Sequence, residues 1–322
     1  MTLSDFYKVW NDGCDTLVVH TSGSTGPPKS LLVEKRRMVA SAKMTCDFLC
    51  LKEGDTALLC MSLDYIAGKM MAVRALVRGL RLVEMEPTGH PMADEAVRHL
   101  HFDLAAMVPL QVYNTLQVPE EKVKLMQVRH LLIGGGPLDE RLEKELRLFP
   151  NHVWATYGMT ETLSHVAMRK VNGEDASPWF EPMPGVELSV NNDNCLVVNA
   201  PQVCEEILTT RDIVEMHPDG KRFKVVGRVD NVACCGGLKI QLEKVEELLL
   251  PHLRQPFLIA KEKDEKFGEI LVLVVEGEPY KEIEGIVDNI LPLYWKPKKT
   301  VFVKQLPMTE TGKSVRIKRI EW

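Results

Sequence analysis

Short apolar runs alternate with helical patterns through the first two-thirds of this 322-residue chain, and this alternation limits the fold more than any other feature. Asp15 to Thr21 (DTLVVHT), Thr56 to Met61, Leu80 to Glu84, Phe102 to Val108, His130 to Ile133 and Val153 to Tyr157 read as strands. Glu34 to Leu49, Gly68 to Arg78 and Asp139 to Leu148 read as helices between them. Such alternation predicts an α/β fold in which helices cover a largely parallel sheet. After Trp179, proline and glycine thicken (Pro182, Pro184, Gly185), and Cys195 to Asn199 reads as part of an antiparallel hairpin. From about Val229 a smaller α+β unit is expected. Its helices are Leu242 to Leu249 and Glu282 to Ile290, and its strands lie near Phe257 to Lys261, Glu269 to Val275 and Val301 to Val303. The length suits two domains. The pattern divides them into a large domain at residues 1–228 and a small C-terminal domain at 229–322.

The net charge of −5 carries no basic surplus, so nucleic acid is not the expected partner. No stretch approaches the roughly 20 apolar residues of a membrane span. Met1 to Asp12 lacks a basic region followed by an apolar block, so no signal peptide is expected. The eight cysteines are scattered and form no paired C-x-x-C pattern. They read as the reduced thiols of a cytoplasmic protein, with Cys234 and Cys235 as two small strand residues.

Thr21 to Ser30 (TSGSTGPPKS) is placed between a strand and a helix. Its glycines and hydroxyls let backbone approach closely and offer donors to phosphate oxygens, and Lys29 adds positive charge. Pro28 stands where a Walker loop has the glycine before its lysine, and proline has no N–H to give a phosphate. A kinase-type loop is therefore not expected, and the alternative is a surface turn.

Five more motifs follow: IGGGPL (Ile133 to Leu138), YGMTE (Tyr157 to Glu161), TRD (Thr210 to Asp212) with GRVD (Gly227 to Asp230), GGLKI (Gly236 to Ile240) with Glu243 and Glu246, and PMTETGK (Pro307 to Lys313) with Arg316. Singly, each has a plain reading. Glycine clusters make turns, Thr160 and Glu161 suit a helix N-terminus, and the basic tail suits a solvated face. Together and in this order they resemble the adenylate-forming superfamily of acyl-CoA synthetases, peptide-synthetase adenylation domains and luciferases. The resemblance runs from about Leu17 to Arg316.

The resemblance implies ATP, Mg²⁺ and coenzyme A as cofactors and a small carboxylic acid as substrate. Thr21, Ser22, Gly23, Ser24, Thr25, Gly26 and Lys29 would cradle the phosphates. Gly135, Gly136 and Pro137 would lie along the adenine and acyl pocket. Tyr157 and Gly158 would face adenine, Thr160 would contact the α-phosphate and Glu161 would hold Mg²⁺. Asp212 would bind the ribose hydroxyls and Arg228 the ribose or phosphate. Asp230 would be the interdomain hinge of a mobile C-terminal domain, and Gly236, Gly237 and Lys239 would line the pantetheine tunnel. Lys313 would reach the acyl carboxylate and α-phosphate. Arg211 departs from the family's usual glycine in TGD.

Only twenty residues precede the phosphate loop, where the family usually carries a long lobe. The expectation is an N-terminally shortened fold whose sheet edges a homodimer would cover. Ser62 to Leu76 (SLDYIAGKMMAVRAL) resembles the shortened o-succinylbenzoate–CoA ligases of menaquinone synthesis. Tyr65 takes the place of the family's gating histidine, ahead of Gly68. A second substrate carboxylate needs a cation, and Lys69 or Arg74 could supply it; the alternative is that both are solvated helix charges. The rival substrate is another fatty or aryl acid. A carrier-protein-charging adenylation domain would be told apart by turnover with free coenzyme A. A catalytically dead scaffold is opposed by Thr160, Glu161, Asp212, Arg228 and Lys313 all being present.

Overall fold

The computed structural model describes residues 1–20, 30–280 and 282–307. The expected strands form where aliphatic runs allow burial on both faces. A seven-stranded sheet contains β3 (Thr56–Leu59), β4 (Arg81–Glu84), β5 (Leu104–Met107), β6 (His130–Ile133), β7 (His152–Gly158), β8 (His165–Lys170) and β9 (Glu181–Pro182), in the order β4-β3-β5-β6-β7-β8-β9. Two further strands, β1 (Thr16–His20) and β2 (Ser30–Glu34), pair antiparallel as a separate ribbon. From β4 through β7 every pairing is parallel, and β8 and β9 add antiparallel. This confirms the α/β expectation. Parallel strands need crossovers, and α3 (Ile66–Arg78) carries the chain from β3 to β4, ending on Gly79 in the left-handed region at φ 68°.

The core of this sheet is built from alternate strand residues such as Ala105, Met107, Leu131, Ile133, Val153 and Ala155. Earlier in the chain, α1 (Leu3–Trp10) is closed by a capping box between Thr2 and Asp5. The helix α2 (Lys35–Phe48) packs against α3 and buries Met38, Ser41, Ala42, Thr45 and Cys46.

Two details depart from the sequence reading. The phosphate-loop segment is not followed directly by a helix, because β2 intervenes and returns along β1 with His20 opposite Ser30. Five residues (SLLVE) are too short a pattern to separate from the helix that starts at Lys35. Thr160 to Thr162 form a single 3₁₀ turn rather than an α-helix start, with Met159 in the cap position.

The later chain forms a four-stranded sheet in the order β10 (Glu187–Val190), β11 (Cys195–Asn199), β12 (Leu208–Met216), β13 (Phe223–Arg228). A five-stranded sheet follows, made of β14 (Val232–Cys235), β15 (Leu238–Gln241), β16 (Phe257–Asp264), β17 (Gly268–Glu276) and β18 (Lys299–Val303). In it β18 pairs parallel with β17, and β14, β15 and β16 add antiparallel. The helix Leu242–Leu249 lays Leu242, Val245 and Leu249, one heptad face, onto Ile259, Leu271 and Leu273. The chain divides into two compact units. One holds Met1–Ser189, Val198–Leu208 and Met216–Lys224; the other holds Val190–Val197, Thr209–Glu215 and the chain from Val225 onward.

Candidate active site

Because β3, β5, β6 and β7 run parallel, their carboxyl ends share one edge of the sheet. Strand order reverses between β3 and β5, the place where open α/β sheets leave a crevice for ligands. The segments leaving this edge carry the described candidates Tyr65, Gly68, Lys69, Gly135, Gly136, Pro137, Tyr157, Gly158, Thr160 and Glu161. After β6, the Gly134 amide donates to Met107 O at 3.1 Å, and Gly135 takes φ 83°. A Cβ on Gly134 would lie 2.3 Å from Thr156 Oγ1, so the GGGP segment can hug β7 only as glycine. Gly135 and Pro137 are exposed and Gly136 half-buried.

After β7 the chain turns tightly. A Cβ on Gly158 would lie 2.2 Å from Ser164 O. The Thr162 hydroxyl accepts from Met159 N at 3.1 Å and donates to Ser164 O at 2.8 Å, and Leu163 sits at φ 65°. A non-glycine residue there is strained, and the buried Thr162 holds the turn in place. The turn presents Thr160 half-buried and Glu161 exposed. Tyr157 is half-buried, with its ring edge-on to Phe223 (centroids 5.1 Å) and tilted to Phe180 (6.0 Å). Phe180 and Phe223 fix the tyrosine ring, and isolated phenylalanines give no sequence signal for that role.

The loop before α3 is held by Lys69. Its ammonium donates to Leu63 O at 2.7 Å and Asp64 O at 2.9 Å, and the side chain is only 1% exposed. Burial pushes its pKa down, partly offset by Asp64. Gly68 lies against the same loop, where a Cβ would sit 2.3 Å from Ser62 O. Tyr65 is half-buried and bridges in parallel to His20. One turn further, Arg74 is 3% exposed. It donates to Ser164 Oγ at 2.5 Å, to Thr45 Oγ1 at 3.4 Å and to Met71 Sδ at 3.6 Å, while its Nε has no partner. Burial lowers its pKa to about 10, so it stays charged at neutral pH. No carboxylate pairs with it among the described residues. Both side chains are thus buried, which overturns the reading of them as solvated helix charges. His165, with Nε2 3.0 Å from Thr45 Oγ1 and Nδ1 3.4 Å from Ser164 Oγ, completes the cluster. Burial, then Arg74, holds this imidazole well below its usual pKa, in the neutral form.

In the second unit four charged side chains join in a row. Arg228 donates to Asp212 Oδ1 at 2.6 Å and reaches Asp230 Oδ2 at 3.4 Å. Arg211 grips the same Asp230 through Nε, at 3.0 and 2.9 Å from the two oxygens, and through Nη2 at 2.7 Å. Gln241 donates to Arg228 O at 3.0 Å, and Glu243 accepts from Asn231 and Gln241, so the turn around Asp230 is tied to the start of the helix Leu242–Leu249. Gly236 and Gly237 close the β14–β15 hairpin at φ 57° and 86°, a two-residue turn whose positive φ angles favour glycine, and Lys239 stands exposed just beyond it. Among the described residues no cluster of three or more metal-binding side chains occurs. Thr21, Ser22, Gly23, Ser24, Thr25, Gly26, Lys29 and Lys313 lie outside the described residues.

A parallel sheet whose carboxyl edge carries glycine-fitted loops, an aromatic ring and an exposed carboxylate is the framework of a nucleotide-using α/β enzyme. The sequence model of the AMP-binding enzyme family matches residues 9–208, and the chain belongs to that family. A 2-succinylbenzoate–CoA ligase of Bacillus cereus is 25% identical over 330 aligned positions, covering 93% of this chain and 68% of that enzyme. The enzyme of the same name from Lactococcus lactis is 24% identical, over 93% of this chain and 69% of its own length. Among solved structures, an acyl-CoA synthetase (AMP-forming)/AMP-acid ligase II-like protein of Dyadobacter fermentans is 35% identical with a TM-score of 0.66, covering 96% of this chain and 90% of that one. The o-succinylbenzoate coenzyme A synthetase of Bacillus subtilis, solved with ATP and magnesium ion, superposes with a TM-score of 0.77 at 22% identity, over 93% of this chain and 68% of its own, and shows the shared fold.

Proposed function

We propose that this protein activates 2-succinylbenzoate with ATP and then transfers the acyl group to coenzyme A. One carboxylate oxygen of the acid attacks the α-phosphorus and pyrophosphate leaves. The coenzyme A thiolate then attacks the acyl carbon and AMP leaves. The observation that carries the substrate choice is Arg74, a buried guanidinium with no carboxylate among its partners. A buried cation without a counter-charge is unfavourable, and a ligand that brings a second carboxylate relieves it. Lys69 already serves two backbone carbonyls, so Arg74 is the better candidate. The names of the relatives in Bacillus cereus and Lactococcus lactis agree with this choice.

Tyr157 offers its face to adenine, and Thr160 a hydroxyl to the α-phosphate. Glu161, an exposed hard-oxygen donor, fits a Mg²⁺ ion that takes its remaining ligands from phosphates and water and that would offset their charge. Thr21 to Gly26 and Lys29 cradle the phosphates, and Gly135 to Pro137 border the acyl pocket. Asp212 and Arg228 hold the ribose. Residues 229–322 act as a lid that pivots at Asp230, bringing first Lys313 and then the Gly236–Gly237–Lys239 hairpin to the site. The lid keeps water from the reactive anhydride. No helix among the described residues is long and apolar enough to cross a membrane. The proposed cytoplasmic location rests on the eight free cysteines, which suit a reducing compartment. Val18 and Leu32, opposite each other on the β1–β2 ribbon and 48% and 70% exposed, support a homodimer, which a monomer in sedimentation would remove.

The test is direct detection of product with ATP, Mg²⁺, 2-succinylbenzoate and free coenzyme A. Succinylbenzoyl-CoA and AMP formed in equal amounts support the proposal. Acyl transfer only to a pantetheinylated carrier protein would instead identify a carrier-charging adenylation domain.

A further inference from the structure

Arg211 departs from the family's usual glycine, and its position gives it a task. Asp212, Arg228, Asp230 and Arg211 alternate in charge. The middle arginine has carboxylates on both sides: Asp212 at 2.6 Å and Asp230 at 3.4 Å. Arg228 therefore has a choice of partner. Arg211 competes for the second partner, taking both oxygens of Asp230 side-on through three short contacts. We propose that Arg211 is a positioning residue for nucleotide binding, which occupies Asp230 so that Arg228 stays on Asp212.

The physical argument is one of competition. A carboxylate accepts a side-on guanidinium most favourably, and two guanidiniums cannot both take that geometry on Asp230. With Arg211 present, the Arg228 contact to Asp230 is the long one. With Arg211 absent, Arg228 is the cation nearest to Asp230, and a swing of under 1 Å would give it a normal hydrogen bond there. That swing draws its other nitrogen away from Asp212. Consistent with this, Arg211 is the main cause that holds the Asp230 carboxyl below the usual range, ahead of Arg228. The role is not one of stability. The side chains of Arg211 and Asp230 are 60% and 39% exposed, and ion pairs that wet contribute little to folding.

The inference rests on the proposed function only in taking Asp212 and Arg228 as the nucleotide contacts. The experiment therefore reads AMP binding by titration calorimetry on the full chain, with no acid or turnover required. Arg211→Ala is expected to weaken AMP about tenfold, the loss of one charge-assisted hydrogen bond, with an unchanged thermal midpoint. Adding Asp230→Asn to Arg211→Ala removes the competing charge and is expected to return affinity to within about threefold of wild type. Arg211→Lys, a point charge without the side-on fork, is expected to fall between. Unchanged affinity in Arg211→Ala overturns the proposal. So does a loss that Asp230→Asn leaves uncorrected, since that would mean Arg211 touches the nucleotide itself. A wild-type protein that binds no AMP overturns it together with the nucleotide assignment. A wild-type protein that binds AMP yet activates no acid overturns the proposed function alone.

Discussion

Arg74 and Ser164, ninety residues apart in sequence, are joined by a guanidinium–hydroxyl hydrogen bond of 2.5 Å. A hydroxyl can orient a buried arginine without neutralising it, whereas a carboxylate would do both. The first prediction follows from that difference. Arg74→Met should raise KM for 2-succinylbenzoate by about 10- to 100-fold and leave KM for ATP and for a monocarboxylic aryl acid nearly unchanged. The same substitution should leave the thermal midpoint equal or higher, because an uncompensated buried charge is replaced by an apolar chain. A large fall in midpoint with no change in KM would mean that Arg74 is structural.

A second prediction concerns the turn after β7. A Cβ on Gly158 would meet Ser164 O at 2.2 Å, and backbone cannot yield there without opening the turn. Gly158→Ala should cost about 3 kcal/mol or more by denaturant unfolding and should disturb Thr160 and Glu161 with it. Gly173→Ala is the control. It has φ 79° but nothing within 4 Å of its would-be Cβ, so only left-handed strain applies, about 1–2 kcal/mol.

These contacts also mark how far the sequence could be read. The helices Leu242–Leu249 and Glu282–Ile290 fall where periodicity placed them, because each is long and regular enough to show its own period, and strand β6 was legible as a short apolar run stopped by Gly134 to Gly136. The YGMTE and GGLKI motifs were visible for the same reason: their conformational demands are local. The burial of Lys69 and Arg74 was not visible. It is decided by Leu63, Thr45 and Ser164, partners 6, 29 and 90 residues away, and a charge on a helix looks the same before those neighbours arrive. Strand β2 was hidden because its partner β1 is reached only across the phosphate-loop segment. Arg211 looked like a defect in TGD until Asp230, nineteen residues on, turned out to be its partner.

Stability should depend on pH through His165. Its folded-state pKa is depressed by burial, with Arg74 adding to the effect, so on acidification the unfolded chain takes up a proton that the folded protein refuses. Stability contributed by the neutral imidazole is therefore full above pH about 6.5 and falls below it, by up to about 1.4 kcal/mol per pH unit. His130, depressed to about 4 mainly by burial, acts in the same direction between about pH 6.5 and 4. Urea midpoints between pH 7.5 and 5 should fall in the wild type and fall less steeply in His165→Gln. Identical slopes would remove His165 from the account.

The role proposed for Lys313 predicts a difference between the two half-reactions. Lys313→Ala should slow pyrophosphate release by about 100-fold or more and change thioester formation from preformed acyl-adenylate by only a few-fold. Equal losses in both steps would mean that the lysine holds the fold or the lid rather than the reacting oxygens.

ATP–pyrophosphate exchange reads adenylation of a dicarboxylic aromatic acid without any later step. With Mg²⁺, without coenzyme A, and with a panel of acids, exchange should be strong for 2-succinylbenzoate and weak for benzoate and for fatty acids. Exchange led by another acid would contradict the assigned substrate, and no exchange by a protein that binds ATP would contradict the assigned reaction.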